Sequence, residues 1–345
     1  MVSAVTATTE TRPAGTIWPY ASLGSLFLVG AMIVAAWNVE LPYYAYSPGP
    51  IENTLDNVVA EAPVVDDPAG SLLMLTVVGQ PVNLIEAVIA GFDPSIVLVR
   101  REAIRPPDET DEEYRSRVLA QMSDSTHRAI SAALAYLGYE MVPVELIVDD
   151  IVEGVPAEQV LQRGDSIVGV EGQPVSGASD LIPVIQAHRV GDTIRLTVSR
   201  EGQEVEVEVT LVGREDDPTV PMIGITLGQI TEPPFPIDIR TGDVGGPSAG
   251  LMYTLAIIDV LSEGDLTRGH VIAGTGTIDP TDGTVGAIGG VRQKVVAAEA
   301  AGASHILVPV ANYQDALKAP RERIEIVPVS NLQEAVDFLE SLPPA

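Results

Sequence analysis

Hydrophobic positions divide this 345-residue chain into stretches of different character. From Pro13 to Val39 there is no charged residue, and Ala21–Val39 is almost wholly apolar. A helix of that length spans a bilayer. Trp18 and Tyr20 stand at one end, and Trp37, Tyr43 and Tyr44 at the other, in the positions of two interfacial aromatic belts. The pattern predicts a cytoplasmic tail over residues 1–16 and a single transmembrane anchor over residues 17–39. Arg12 is the basic residue nearest this run, which directs the N-terminus to the cytoplasm and everything after the anchor outside. The competing readings are a cleaved signal peptide, with Ala35 and Ala36 near the cut, and a buried core helix. The long apolar run behind a single Arg favours the anchor.

After this run the periodicities are those of a globular protein. Leu41–Pro50 is Pro-rich and reads as a connector. Ser71–Val78 and Ser95–Arg101 read as strands, with an exposed acidic loop at Pro106–Glu113. Met122–Leu137 has helical spacing, placing Ala129, Ile130, Ala133, Leu134 and Leu137 on one side, and Gly138 stops it. From Met141 to Val212 come short strands, a short helix near Ala178–His188, and a hairpin. In the hairpin Thr193–Arg200 and Gln203–Val212 alternate strictly around Glu201-Gly202. From Pro234 onward strands and helices alternate. Ser248–Leu261 is apolar on nearly every face, the mark of a buried helix. Ile324–Val329 reads as a strand, and Leu332, Ala335, Val336 and Leu339 give an amphipathic helix.

Composition narrows the chemistry. There is no cysteine, which removes disulfides, thiolate catalysis and Cys-based zinc sites. The net charge of −29 argues against nucleic acid as a partner. His127, His188, His270 and His305 form no metal-binding spacing, and no metal or cofactor is expected. Of the 19 basic residues only Lys294 and Lys318 are lysines. A chain that uses Arg for generic positive charge keeps Lys where a removable proton matters.

Two segments bring reactive groups forward. In Asp243-Val244-Gly245-Gly246-Pro247-Ser248-Ala249-Gly250 a tight turn opens the buried helix. Ser248 would then lie near a helix N-terminus, whose outward N–H groups stabilise an oxyanion. Taken alone the motif is ambiguous, because serine at a helix start commonly serves as a cap. In Gly289-Gly290-Val291-Arg292-Gln293-Lys294-Val295-Val296-Ala297-Ala298, Lys294 falls one turn into a helix, on an apolar face. Burial lowers a lysine pKa, and a neutral amine beside a hydroxyl is a workable general base. A Ser–His–Asp arrangement using His270 or His305 explains less of the pattern.

The run Gly154-Val155-Pro156-Ala157, then Leu161-Gln162-Arg163-Gly164-Asp165-Ser166-Ile167-Val168-Gly169-Val170-Glu171-Gly172, resembles the PDZ family. That family binds peptide ends or internal strands by adding a strand to a sheet edge. Gly138-Tyr139-Glu140-Met141 is the candidate carboxylate-binding loop. The serine and lysine segments together resemble the Lon protease family, with its G-P-S-A-G serine and G-G-x-x-x-K lysine. Ala273 through Ile278, Gly283 through Gly290, and His305-Ile306-Leu307-Val308-Pro309 with Asn312 extend the likeness.

The resemblance implies an α+β fold. In it a Lon-type protease domain is built from residues 40–140 and 214–345, with a PDZ-like domain inserted over residues 141–213. It implies a serine endopeptidase in which Ser248 and Lys294 form the catalytic dyad. Thr275 orients the lysine, and Gly246, Pro247 and Ala249 shape the oxyanion loop. It also implies polypeptide substrates and a homo-hexameric ring. The sequence contains no G-x-x-x-x-G-K-[ST], so ATP-driven unfolding is not expected of this chain. The place three before the serine, often acidic in that family, is Gly245. The rival reading from another class is a non-catalytic peptide-binding scaffold at the membrane.

Overall fold

The computed structural model describes residues 36–62 and 69–345, together with 30, 32 and 34. The expected tail (1–16) and most of the expected anchor (17–39) lie outside the described residues. Among the described residues no helix is long and apolar enough to cross a membrane.

From Glu40 onward come β1 (Glu40–Asn53), β2 (Val58–Ala60), β3 (Ser71–Asn83), α1 (Leu84–Ala90), β4 (Val97–Arg100) and α2 (Asp111–Tyr136). There follow β5 (Val142–Ile151), β6 (Ser166–Val170), β7 (Gln173–Pro174), α3 (Ala178–Gln186), β8 (Thr193–Arg200), β9 (Gln203–Thr210), β10 (Val212–Gly213), β11 (Pro221–Met222) and β12 (Ile225–Glu232). The last part holds β13 (Ile237–Ile239), α4 (Gly250–Leu261), β14 (Val271–Gly274), β15 (Thr277–Ile278) and β16 (Val285–Gly286). It ends with α5 (Val291–Ala300), β17 (His305–Pro309), α6 (Val310–Ala316), β18 (Glu325–Val329) and α7 (Leu332–Ser341).

A six-stranded sheet in the order β18-β17-β14-β3-β1-β4 combines strands from both ends of the chain. The neighbours from β18 to β3 pair in parallel, and β1 pairs antiparallel with both β3 and β4. Side chains alternate across it, as the strand period of two requires. Leu72, Met74, Ile272, Leu307 and Val329 face a core shared with α2, α4 and α7. Leu75, Ala273, Ile306, Val308 and Ile326 face the opposite way, toward α5 and α6. Every residue of α4 is buried, as its uninterrupted apolar run demands. Truncating one of its large side chains, such as Leu255, costs about 2–5 kcal/mol.

Three sequence expectations are corrected here. Leu41–Pro50 is no connector but part of β1, a strand held on both edges. Its prolines are tolerated because the ladder with β3 shifts register between Glu40 and Tyr44 and between Pro48 and Ile51, where missing N–H groups cost least. The loop expected over Pro106–Glu113 ends early. Thr110 caps α2 in a reciprocal box with Glu113, so the helix starts at Asp111. Finally, the inserted sheet does not stop at residue 213. Its order is β12-β5-β6-β8-β9, and β12 pairs with β5 from Ile225↔Ile151 to Glu232↔Val142.

The inserted sheet has its own core, including Leu146, Val148, Ile167, Leu181, Ile194, Leu196 and Val198. The β8–β9 hairpin closes at Glu201 and Gly202, both with positive φ, the conformation that matches strand twist in a two-residue loop. Asp165 of the Gly-Asp motif is buried and accepts from the Arg200 guanidinium and from the Gln162 N–H. The arginine holds that carboxyl below its usual range. Tyr139 and Phe235 flank the insertion, with ring centroids 5.2 Å apart, and both pack against the core shared with α2, α4 and α7.

Because Val142 and Glu232 are paired neighbours, the insertion enters and leaves at one point. Excising residues 142–232 and joining Met141 to Pro233 by a short linker should leave a soluble remainder that melts cooperatively. An aggregated or non-cooperative product would contradict the separateness of the two cores.

Candidate active site

Ser248 lies between two elements that differ in role. Upstream, β13 pairs with β2 and delivers the chain to the glycine turn. Downstream, α4 begins at Gly250, two residues later than expected, and no side chain caps it. The turn itself is held by α2. Gly246 N–H donates to Val118 O at 2.8 Å, and Ser125 Oγ donates to Pro247 O at 3.1 Å. Arg115 pairs with Asp243 at 2.8 Å. Gly246 has φ +97°, a conformation that favours glycine. A Cβ at Gly245 would stand 2.8 Å from Val118 Cγ2. The close approach of α2 is the physical reason that a small residue, and not an acid, occupies position 245.

Lys294 comes from α5, which starts after Gly290 in the left-handed region. Its side chain crosses to the serine, with Nζ 2.7 Å from Ser248 Oγ and 2.8 Å from Thr275 Oγ1. Thr275 Oγ1 in turn donates to Ser248 O at 3.1 Å, and Gly276 N–H donates to the same carbonyl at 2.9 Å. A hydroxyl has one proton. With that proton committed to the Ser248 carbonyl, Thr275 meets the amine as an acceptor. It takes an N–H from Nζ and leaves the lone pair of a neutral amine to face Ser248. The lysine is 1% exposed, and burial pushes its pKa from 10.5 down to about 7. The site therefore brings together Ser248, Lys294 and Thr275, with Gly246, Pro247 and Ala249 forming the turn and entry to α4.

The serine and lysine open onto a cleft of about 460 Å³, lined also by Tyr46, Val77, Tyr114, Arg117 and Val118. Arg117 is paired with Glu109 at 2.7 Å, and burial pushes the Tyr46 hydroxyl up to about 12. The histidines are elsewhere. His270 Nε2 contacts Pro343 O at 2.7 Å, and His305 faces Glu325 and Phe338. Both sit at the starts of β14 and β17, whereas Thr275 follows the end of β14. Among the described residues no group of His, Asp and Glu could hold a metal ion.

A second concavity of about 210 Å³ lies in the inserted domain, between α3 and the β11–β12 segment. Leu181, Ile185, Met222 and Ile225 line it, and Gly224 turns the chain into β12 with φ +86°. β12 has β5 on one side only and is an edge strand. The expected loop Gly138–Met141 is not at this groove. Tyr139 and Met141 pack against the core shared with α2, α4 and α7 instead. Sequence reasoning missed the Val220–Gly224 segment, whose signal was a glycine opening the alternating run Ile225–Leu227. It also missed the clamp from α2, whose signal was a serine, Ser125, on an otherwise apolar face.

The lysine's burial has a consequence for stability. Its folded pKa is near 7 and its unfolded pKa near 10.5, so between those values the unfolded state binds more protons. Stability relative to Lys294→Met should rise with pH across that window, by at most about 1.4 kcal/mol per unit, and be flat below it. Denaturant unfolding of both proteins between pH 6 and 10, about the range set by these values, provides the check. Parallel profiles would mean that the amine is charged in the fold.

Comparison with known proteins finds counterparts of both parts, though the PDZ match starts within α2 and ends before β12. Residues 237–340 match the Lon protease (S16) C-terminal proteolytic domain, and residues 120–211 match the PDZ domain. The Lon protease of Mycoplasma mycoides is 34% identical over 97 residues, 27% of this chain and 12% of that protein. The archaeal Lon protease of Methanocaldococcus jannaschii is 38% identical over 99 residues, 29% of this chain and 14% of that protein. The chain thus aligns with only a small fraction of the length of these relatives. Among solved structures, the PDZ domain of an SdrC-like protein from Listeria monocytogenes is similar at 28% identity. That likeness covers 24% of this chain and 85% of the other, with a TM-score of 0.22. The chain thus carries a segment similar to the Lon proteolytic domain together with one similar to a PDZ domain.

Proposed function

We propose that this protein is a membrane-anchored serine endopeptidase that cleaves polypeptides without ATP, using Ser248 as nucleophile and Lys294 as general base. The observation that carries the reading is the 2.7 Å approach of a desolvated lysine Nζ to the serine Oγ. As Oγ attacks the scissile carbonyl, its proton passes to the neutral amine. The carbonyl oxygen becomes an oxyanion facing the N–H groups that open α4. Collapse breaks the C–N bond, and the lysine returns the proton to the departing amine. Lys294 then takes a proton from the water that attacks the Ser248 ester, and returns it to Oγ as the C–Oγ bond breaks and the new carboxyl end leaves. Thr275 keeps the Lys294 nitrogen in place throughout, accepting an N–H from it in either protonation state.

In this proposal the PDZ domain holds a peptide as an added strand on β12, with side chains in the α3 groove. The apolar run before Glu40 holds the enzyme in the cell membrane by one helix. Arg12 places the catalytic part on the extracytoplasmic side. A homo-hexameric ring is the assembly that the family likeness suggests.

Ser248→Ala and Lys294→Arg should each lower cleavage of an unfolded protein by at least about 100-fold without loss of fold. A guanidinium does not give up its proton, so the Arg variant is no milder than Lys294→Met. In the active protein kcat/KM should fall as pH drops through about 7, where the amine becomes protonated. Full turnover in Ser248→Ala would refute Ser248 as the nucleophile, and absence of cleavage by the unaltered protein would leave the scaffold reading instead.

A further inference from the structure

One apolar surface lies outside both the cleft and the peptide groove. Leu84 (48% exposed), Val88 (55%), Ile89 (62%) and the following Phe92 (84%) project from α1 and its C-terminal turn. The display is built rigidly. Asn83 and Glu86 cap α1 reciprocally. Beyond it Phe92 N–H donates to Ile89 O, and Asp93 accepts from Ser95 N–H and Oγ. Four large side chains are therefore held toward solvent by an ordered turn.

The position of this surface points to its occupant. Asn83, which opens α1, stands opposite Glu40, the first residue of β1. Glu40 immediately follows the apolar run Ala21–Val39. The exposed patch thus lies where the chain enters the sheet from its most lipid-like segment. At the same edge Tyr43 pairs with Arg100, and the Arg101 guanidinium lies over the Tyr44 ring at 5.9 Å. Both arginines are exposed. In a chain of net charge −29, a local pair of arginines beside tyrosines and an apolar patch matches lipid phosphates above acyl chains. Glu40, Glu86, Asp93 and Glu102 are exposed around the patch as well; Glu86 and Asp93 are each engaged with backbone N–H groups of their own turns, so the lipid match rests on the apolar side chains and on Arg100 and Arg101.

We propose that Leu84, Val88, Ile89 and Phe92 enter the headgroup region of the bilayer, giving the enzyme a second membrane contact beside its anchor. This rests on the anchor reading above. Two contacts fix the orientation of the sheet, where one helix alone leaves it free to tumble. Tyr46, which lines the catalytic cleft, stands opposite Gly79, four residues along β3 from Asn83. That spacing is about 13 Å of strand. The cleft is thereby held close to the lipid surface. Its substrates are polypeptide segments tethered to, or emerging from, the membrane.

The chain has no cysteine, so a nitroxide can be placed at one site only. Ile89→Cys, Phe92→Cys and, as a control, Glu201→Cys in the β8–β9 turn are labelled in the full chain. Each is reconstituted into phosphatidylcholine–phosphatidylglycerol vesicles. Oxygen should relax the labels at 89 and 92 more than a water-soluble nickel chelate does, with the reverse order at 201. Water-like accessibility at 89 and 92 in vesicle-bound protein overturns the proposal while leaving the anchor intact. Exclusion of both relaxants overturns it in favour of a second copy covering the patch. Protein that fails to float with the vesicles defeats the anchor reading, and this inference with it. The substrate claim has its own readout. Phe92→Asp should reduce cleavage of a vesicle-tethered polypeptide several-fold and leave cleavage of the same polypeptide in solution unchanged. Equal effects on both would refute it.

Discussion

A lysine amine kept out of water is the constraint on which the proposed active site depends. A buried ammonium is unfavourable, so the group sheds its proton near neutral pH and becomes a base. The neutral amine must still satisfy an N–H, and Thr275 supplies an acceptor whose own proton is already committed to the Ser248 carbonyl. The burial that creates the base and the hydrogen bond that aims it are thus parts of one arrangement. Arginine fits neither requirement, since it keeps its proton and carries five donors.

The fold assembles this arrangement from distant parts of the chain. Thr275 follows the C-terminal end of β14, and its N–H donates to Leu307 O in β17. Lys294 rides on the crossover helix α5, on one face of the sheet, and Ser248 stands in the turn just before α4 on the other. A position beyond the carboxyl ends of parallel strands is the usual place for a site in such a sheet. The first part of the chain closes the frame, because α2 carries the Val118 and Ser125 contacts that hold the Gly246–Pro247 turn. The inserted domain leaves this frame undisturbed, since it enters and exits through paired residues and has a core of its own.

The meeting of Ser248 and Lys294 was legible in the sequence because its signals are local. Glycines, a proline and a serine fix the turn, and a lysine in a chain that otherwise uses arginine stands out. The buried helix and the β8–β9 hairpin were legible for the same reason, since one has an unbroken apolar run and the other a strict alternation. What escaped depended on tertiary partners. The prolines of β1 read as a connector until register shifts beside them accommodate the missing donors. The strand β12 lies far along the chain from its partner β5, so a boundary drawn from composition fell too early. Ser125 is one polar residue on a helix face, and its meaning appears only when Pro247 O is found opposite it. Tyr139 seemed available as a ligand loop, but it serves as an aromatic plug at the neck of the insertion.

The protonation state of one amine decides the account, and this chain makes it directly observable. Only Lys294 and Lys318 carry an Nζ, so labelling lysine with ¹⁵N gives two side-chain nitrogen resonances, assigned by Lys318→Arg. The account predicts that the Lys294 resonance titrates near pH 7. If it instead titrates at its ordinary value of 10.5, the amine is charged beside Ser248, and the lysine is not the base.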